Sequence, residues 1–163
     1  MKKIALLILS LMCVQLYGQS AAEKAPLPDK FADLPQRIQV HHFPSPVMAS
    51  TDAAEPGIYF WKHNTSIFSP DSDATIVEGG AYIFYNDQWN HRVTYTAKEF
   101  AAFFGVPNGK MKAGEPYTFT DNWRRDSRLL GGWALWYIIV ELPSGDRACG
   151  FEKLDTVGDL YGQ

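Results

Sequence analysis

GGWALWYIIVEL, Gly131 to Leu142, is the longest apolar run outside the N-terminus, and its reading decides the fold. As a strand it places Trp133, Leu135, Tyr137 and Ile139 on one face and Ala134, Trp136, Ile138 and Val140 on the other, because successive side chains point to opposite sides. Both faces are apolar, so the strand needs cover on both and belongs inside a sheet. A helix of this composition would be apolar all round, and its β-branched and aromatic residues favour the strand.

Working outward, Pro143-Ser144-Gly145-Asp146 closes a hairpin with a strand at Arg147 to Leu154, after which the tail is expected to fray. Upstream strands are expected at Arg37 to Phe43, Gly57 to Lys62 and Pro116 to Thr120. Ala74 to Glu78 and Ala81 to Tyr85 are two strands, or one bent at Gly79-Gly80. Asn86-Asp87-Gln88 turns the chain into Asn90 to Tyr95, which returns as a hairpin arm. Met48 to Pro56, small and polar, is expected as a loop, as is Asp121 to Arg128, DNWRRDSR.

Only one helix is signalled. Thr96 and Glu99 have the spacing of a capping box, and Ala97, Phe100, Ala101 and Phe104 form an i, i+3, i+4, i+7 stripe. Gly105 followed by Pro107 stops it. The fold class expected is α+β: a mainly antiparallel sheet of about six or seven strands with one short helix packed on it. A partly closed β-barrel is the alternative.

The chain opens MKKIALLILSLMCVQLYGQSAA, with Lys2 and Lys3 before an apolar run and then small and polar residues, the layout of a secretory signal peptide over residues 1–20. The apolar run falls short of the roughly 20 residues that cross a bilayer. Lipid anchoring at Cys13 is a weaker alternative, because bulky Met12 precedes it and the apolar run continues past it. Residues 21–36, with three prolines, are expected to be a flexible tether on which Phe31 and Leu34 dock loosely. Residues 37–163 form one domain.

The whole chain carries 15 basic and 18 acidic residues; without Lys2 and Lys3 the balance is 13 to 18, net −5. No basic excess exists to attract nucleic acid, and no later segment is long and apolar enough for stable membrane insertion. The expected location is periplasmic or secreted. Once the leader is removed Cys149 is the only cysteine, which excludes an intramolecular disulfide.

Catalytic signatures are missing. Cys149 lacks a downstream histidine and sits in a hairpin arm, as a core cysteine does. His41 and His42 point to opposite faces of a strand, and His63 and His91 complete no metal-ligand spacing, so neither metal nor cofactor is expected. Asp71-Ser72-Asp73 begins like a calcium loop but lacks its later ligands. No serine-acyltransferase motif is present. The Phe100 to Val106 stretch resembles half of a helix-turn-helix, but proline and two glycines follow where a recognition helix is needed.

The remaining candidate is Trp123 with Arg124, Arg125 and Arg128, residue types that dominate binding hot spots, on a stretch expected to be exposed. Pairing of these arginines with Asp121 and Asp126 is the purely structural alternative. The function expected is binding, with another protein as partner in the manner of an inhibitor or immunity protein. Two alternatives stay open: a small cell-wall or glycan hydrolase using Cys149 or a carboxylate pair, and a binder of a small apolar or sugar ligand in an aromatic pocket.

Overall fold

The computed structural model describes residues 21–162; the expected signal peptide, with Cys13, lies outside the described residues. Nine strands follow in chain order: β1 (Gln39–Phe43), β2 (Val47–Thr51), β3 (Tyr59–Phe68), β4 (Ala74–Tyr85), β5 (Gln88–Thr96), β6 (Lys110–Met111), β7 (Pro116–Asp126), β8 (Gly132–Glu141) and β9 (Arg147–Leu160). The helices are α1 (Ala21–Lys24), a single turn, and α2 (Ala97–Phe104). Most of the chain is sheet, and the strands form one sheet curled into a half-barrel.

Strand β8 is central. It pairs with β4 on one edge and with β9 on the other, and Leu135, Ile138 and Val140 are fully buried. Beyond β9 the sheet continues through β2 to β3. Strands β1 and β2 use different parts of β3, Asn64 to Phe68 and Tyr59 with Phe60, while β7 pairs along nearly its whole length. Strands β5 and β7 therefore end the curl, each with one edge unpaired among the described residues.

The sheet is mainly antiparallel, as expected, but not purely so, since β2 runs parallel to β9, and it has nine strands where six or seven were expected. The difference starts at Val47–Thr51, most of which falls in the stretch Met48 to Pro56 expected as a loop. Val47 and Ala49 alternate inward and are buried, and the strand runs parallel to β9. Strand β9 in turn extends to Leu160 because β2 gives its end a partner, and the Tyr161 amide still donates to the Ala49 carbonyl at 2.8 Å, so the stretch expected to fray from Leu154 is held by β2. The stretch expected as an exposed loop at 121–128 is also strand as far as Asp126.

Both faces of β8 find the cover they require. On the convex side, Leu135, Tyr137 and Ile139 pack with Tyr82, Cys149 and Phe31. Phe31 belongs to the segment expected as a tether; it is buried, with ring centroids 5.3 Å from Tyr137 and 5.5 Å from Phe151. Lys30 adds hydrogen bonds to Glu78 and to the Tyr137 hydroxyl. On the concave side, Trp136, Ile138 and Val140 meet Ile38, Ile67, Ile76, Met111 and the helix residues Phe100 and Phe104.

Helix α2 starts with the expected capping box. The Glu99 amide donates to Thr96 Oγ1 at 3.3 Å and the Thr96 amide donates to Glu99 Oε2 at 2.9 Å. Gly105 then closes the helix at φ 66°, a left-handed conformation that costs glycine little. Thr96→Ala is expected to lower the unfolding free energy by about 1 kcal/mol, read from urea titrations, because helix donors lose their acceptor. In the glycine pair of β4, Gly79 sets how closely the helix approaches and Gly80 how closely β5 does. A Cβ on Gly79 would lie 2.1 Å from the Phe100 ring, and one on Gly80 would lie 2.2 Å from the Val93 carbonyl oxygen, on the neighbouring strand β5.

Candidate functional site in the mouth of the half-barrel

Between the ends of the curl lies a cavity of about 380 Å³. Ala81 from β4 and Ala134 and Trp136 from β8 contribute to its lining, together with Val93 and Tyr95 from β5, Phe103 from α2 and Phe119 from β7. The aromatic groups pack on one another: Phe103 stacks on Phe119 at 5.2 Å, and Tyr95 meets Phe103 edge-on at 5.0 Å. Helix α2 thus bridges the two strands that the sheet leaves unpaired.

Strand β7 decides which polar groups enter the concave side. Asp121 has φ 56°, and the pairing with β3 slips one position between His63 and Thr65. This extra residue is a bulge, and it reverses the alternation beyond it. Before it, Tyr117 and Phe119 face inward; after it, Asn122 and Arg124 do, while Trp123 and Arg125 are exposed. Uninterrupted alternation would have pointed Trp123 and Arg125 inward instead.

Arg124 reaches across the half-barrel. Its side chain is 14% exposed, its guanidinium lies 4.4 Å from the centre of the Trp61 ring, and Nη1 donates to Thr156 Oγ1. Nη2 comes no nearer than 3.9 Å to Asp126, a carboxylate that Arg128 also approaches at 3.8 Å. Burial lowers the pKa of Arg124 from the usual arginine value, and Asp126 only partly offsets this. The Arg125 guanidinium is instead held by Glu55, with which it pairs at 2.8 Å. Arg92, on β5, also lines the cavity and makes no ion pair among the described residues.

The fold brings three of the four residues singled out from sequence to the cavity and leaves the fourth outside it. Trp123, Arg124 and Arg125 all border the cavity, Trp123 at its rim with 48% of its surface exposed. Arg128 lies beyond the end of β7, with its side chain 74% exposed, and does not line the cavity. Sequence reasoning missed Arg92, Asn122 and the apolar lining. For Val93 and Tyr95 the usable signal was HRVTY, in which they alternate with polar residues; Arg92 and Asn122 left none.

Asn122 links the cavity to a buried polar cluster. Its Nδ2 donates to Thr65 Oγ1 at 2.8 Å, and His42 Nδ1 lies 3.1 Å from the same hydroxyl. His63 is 3% exposed, its ring 5.4 Å from His42 and 6.5 Å from Trp136. Its Nδ1–H donates to the Trp61 carbonyl at 3.1 Å, which leaves Nε2 as an acceptor without a partner. Burial pushes the His42 pKa down to about 3, with the neighbouring His63 adding to the effect, and burial lowers His63 as well.

Cys149 belongs to the convex core. The thiol is fully buried, donates to the Leu34 carbonyl at 3.5 Å, and has its pKa raised by burial. That environment holds a thiol rather than a nucleophilic thiolate. Among the described residues no three His, Cys, Asp or Glu side chains gather as a metal group, and no helix is long and apolar enough to cross a membrane.

No protein-family model matches the chain, and no curated protein does. Its fold is similar to the X-ray structure of Northeast Structural Genomics Consortium target SoR45, with a TM-score of 0.52 and 15% identity, over 80% of this chain and 95% of that one. At that identity the likeness concerns the fold alone.

Proposed function

We propose that the chain acts by binding, and that what it binds is a small, largely apolar molecule in the mouth of the half-barrel. The observation that carries this is the cavity of about 380 Å³ between β5 and β7. Its size falls within the roughly 300–1,000 Å³ of ligand pockets, and its lining is mainly apolar and aromatic with a few convergent polar groups. Export, expected from the first twenty residues, would put that ligand outside the cytoplasm.

A protein partner of the inhibitor or immunity type, seated on the outer face of β7, is the second possibility. It is favoured by the exposure of Trp123 beside an unpaired strand edge. One set of variants separates the two. N-phenyl-1-naphthylamine, an uncharged fluorescent probe, is expected to bind saturably with one site per chain. Val93→Trp fills the cavity and is expected to abolish the signal, whereas Trp123→Ala is expected to retain most of it. Absence of saturable binding, or equal binding by Val93→Trp, would overturn the cavity proposal. Loss of the signal in Trp123→Ala alone would move the site to the outer face.

A further inference from the structure

The charges around the cavity narrow its ligand further. Arg124 is a largely buried cation whose compensation is incomplete. Of its five N–H donors one reaches a neutral hydroxyl, and the only nearby carboxylate among the described residues stands 3.9 Å away and is shared with Arg128. Arg92 adds an unpaired positive charge on β5, across the cavity from β7, and Arg125 is already neutralised by Glu55. Among the described residues no acidic side chain lines the cavity. A cation removed from water without a full partner is costly, and an anion entering beside it removes that cost. The Arg124 guanidinium lies against the Trp61 ring, and its fork of N–H donors suits a planar group able to accept two parallel N–H bonds.

We infer that the ligand is an aromatic or alicyclic carboxylate, its ring among Phe103, Phe119 and Trp136 and its carboxylate between Arg124 and Arg92. This rests on the cavity being the binding site, and it adds the head group. Two alternatives are disfavoured on the same grounds. A neutral ligand would leave Arg124 as poorly compensated as before, and an organic cation would be repelled by both arginines.

The test is calorimetric titration of the protein with naphthalene-1-carboxylate and with naphthalene-1-carboxamide, which has nearly the same shape and no charge. The carboxylate is expected to bind on the order of tenfold more tightly at low salt, with the preference shrinking as salt is added. Arg92→Gln, at an exposed position, and Arg124→Lys, which keeps the charge and loses the fork, are each expected to reduce that preference about threefold. Arg128→Ala, outside the cavity, is expected to leave it unchanged. Circular dichroism of each variant confirms folding, and the ratio of the two affinities is independent of modest changes in stability. Equal affinity for the two compounds, or a preference unchanged in both arginine variants, would overturn the head-group assignment. If N-phenyl-1-naphthylamine still binds in that case, the cavity proposal survives; if all three compounds fail to bind, both fall.

Discussion

Between pH 7 and pH 5 the domain is expected to lose a few kcal/mol of stability, before most carboxylates titrate. The cause is the pair His42 and His63. Both imidazoles are held neutral by burial, His42 with a pKa of about 3, while in the unfolded chain each takes up a proton near the usual histidine value. Below that value the unfolded state binds more protons than the folded one, so stability falls with pH; above it, the stabilisation is fully present. Each histidine contributes a slope of up to about 1.4 kcal/mol per pH unit once pH is well below its unfolded pKa. For His42 the window runs from about 6.5 down to about 3. The measurement is the urea midpoint followed by tryptophan fluorescence at pH 7, 6 and 5, for the native chain and for His42→Gln. The variant is expected to lose about half of the slope. Equal stability at pH 7 and pH 5 in the native chain would mean that these imidazoles take up protons in the folded state, contrary to their burial.

Features set by neighbours in sequence were readable from sequence. The central strand announces itself because all eight residues from Trp133 to Val140 are apolar, and the helix because its cap, stripe and terminator fall within about ten residues. Val47–Thr51 does not announce itself: five residues of moderate polarity become a strand only because β3 and β9 offer edges on either side. The candidate site shows both cases. Composition alone points to Trp123, Arg124 and Arg125, but which of them turns inward depends on one bulged residue, Asp121, held where its amide meets Asn64 Oδ1 at 3.2 Å. That contact spans more than fifty positions of sequence and has no local signature. Arg92 was invisible for a similar reason, since its role depends on β5 and β7 facing each other across the open side of the sheet.

Trp61→Ala is expected to be the most damaging single truncation near the site, at about 3–5 kcal/mol. The indole is fully buried among Val47, Ala49, Ala134 and Leu154, and its Nε1–H donates to the Val157 carbonyl at 2.8 Å. Truncation leaves a void where the surrounding strands are already paired and cannot collapse, and it leaves the carbonyl without that partner. It also removes the ring on which Arg124 lies, so two further variants separate packing from positioning. Trp61→Phe keeps a ring and is expected to cost less, about 1–3 kcal/mol, while retaining most of the preference for naphthalene-1-carboxylate over its amide. Trp61→Leu keeps apolar bulk without a ring face and is expected to lose much of that preference even where the protein remains folded. Urea unfolding gives the first quantity and calorimetry the second. A loss below about 1 kcal/mol in Trp61→Ala would contradict the packing around the indole. Identical preferences in Trp61→Phe and Trp61→Leu would show that the guanidinium is held by Thr156 and Asp126 without the ring, which would make the hydroxyl and the shared carboxylate the positioning groups.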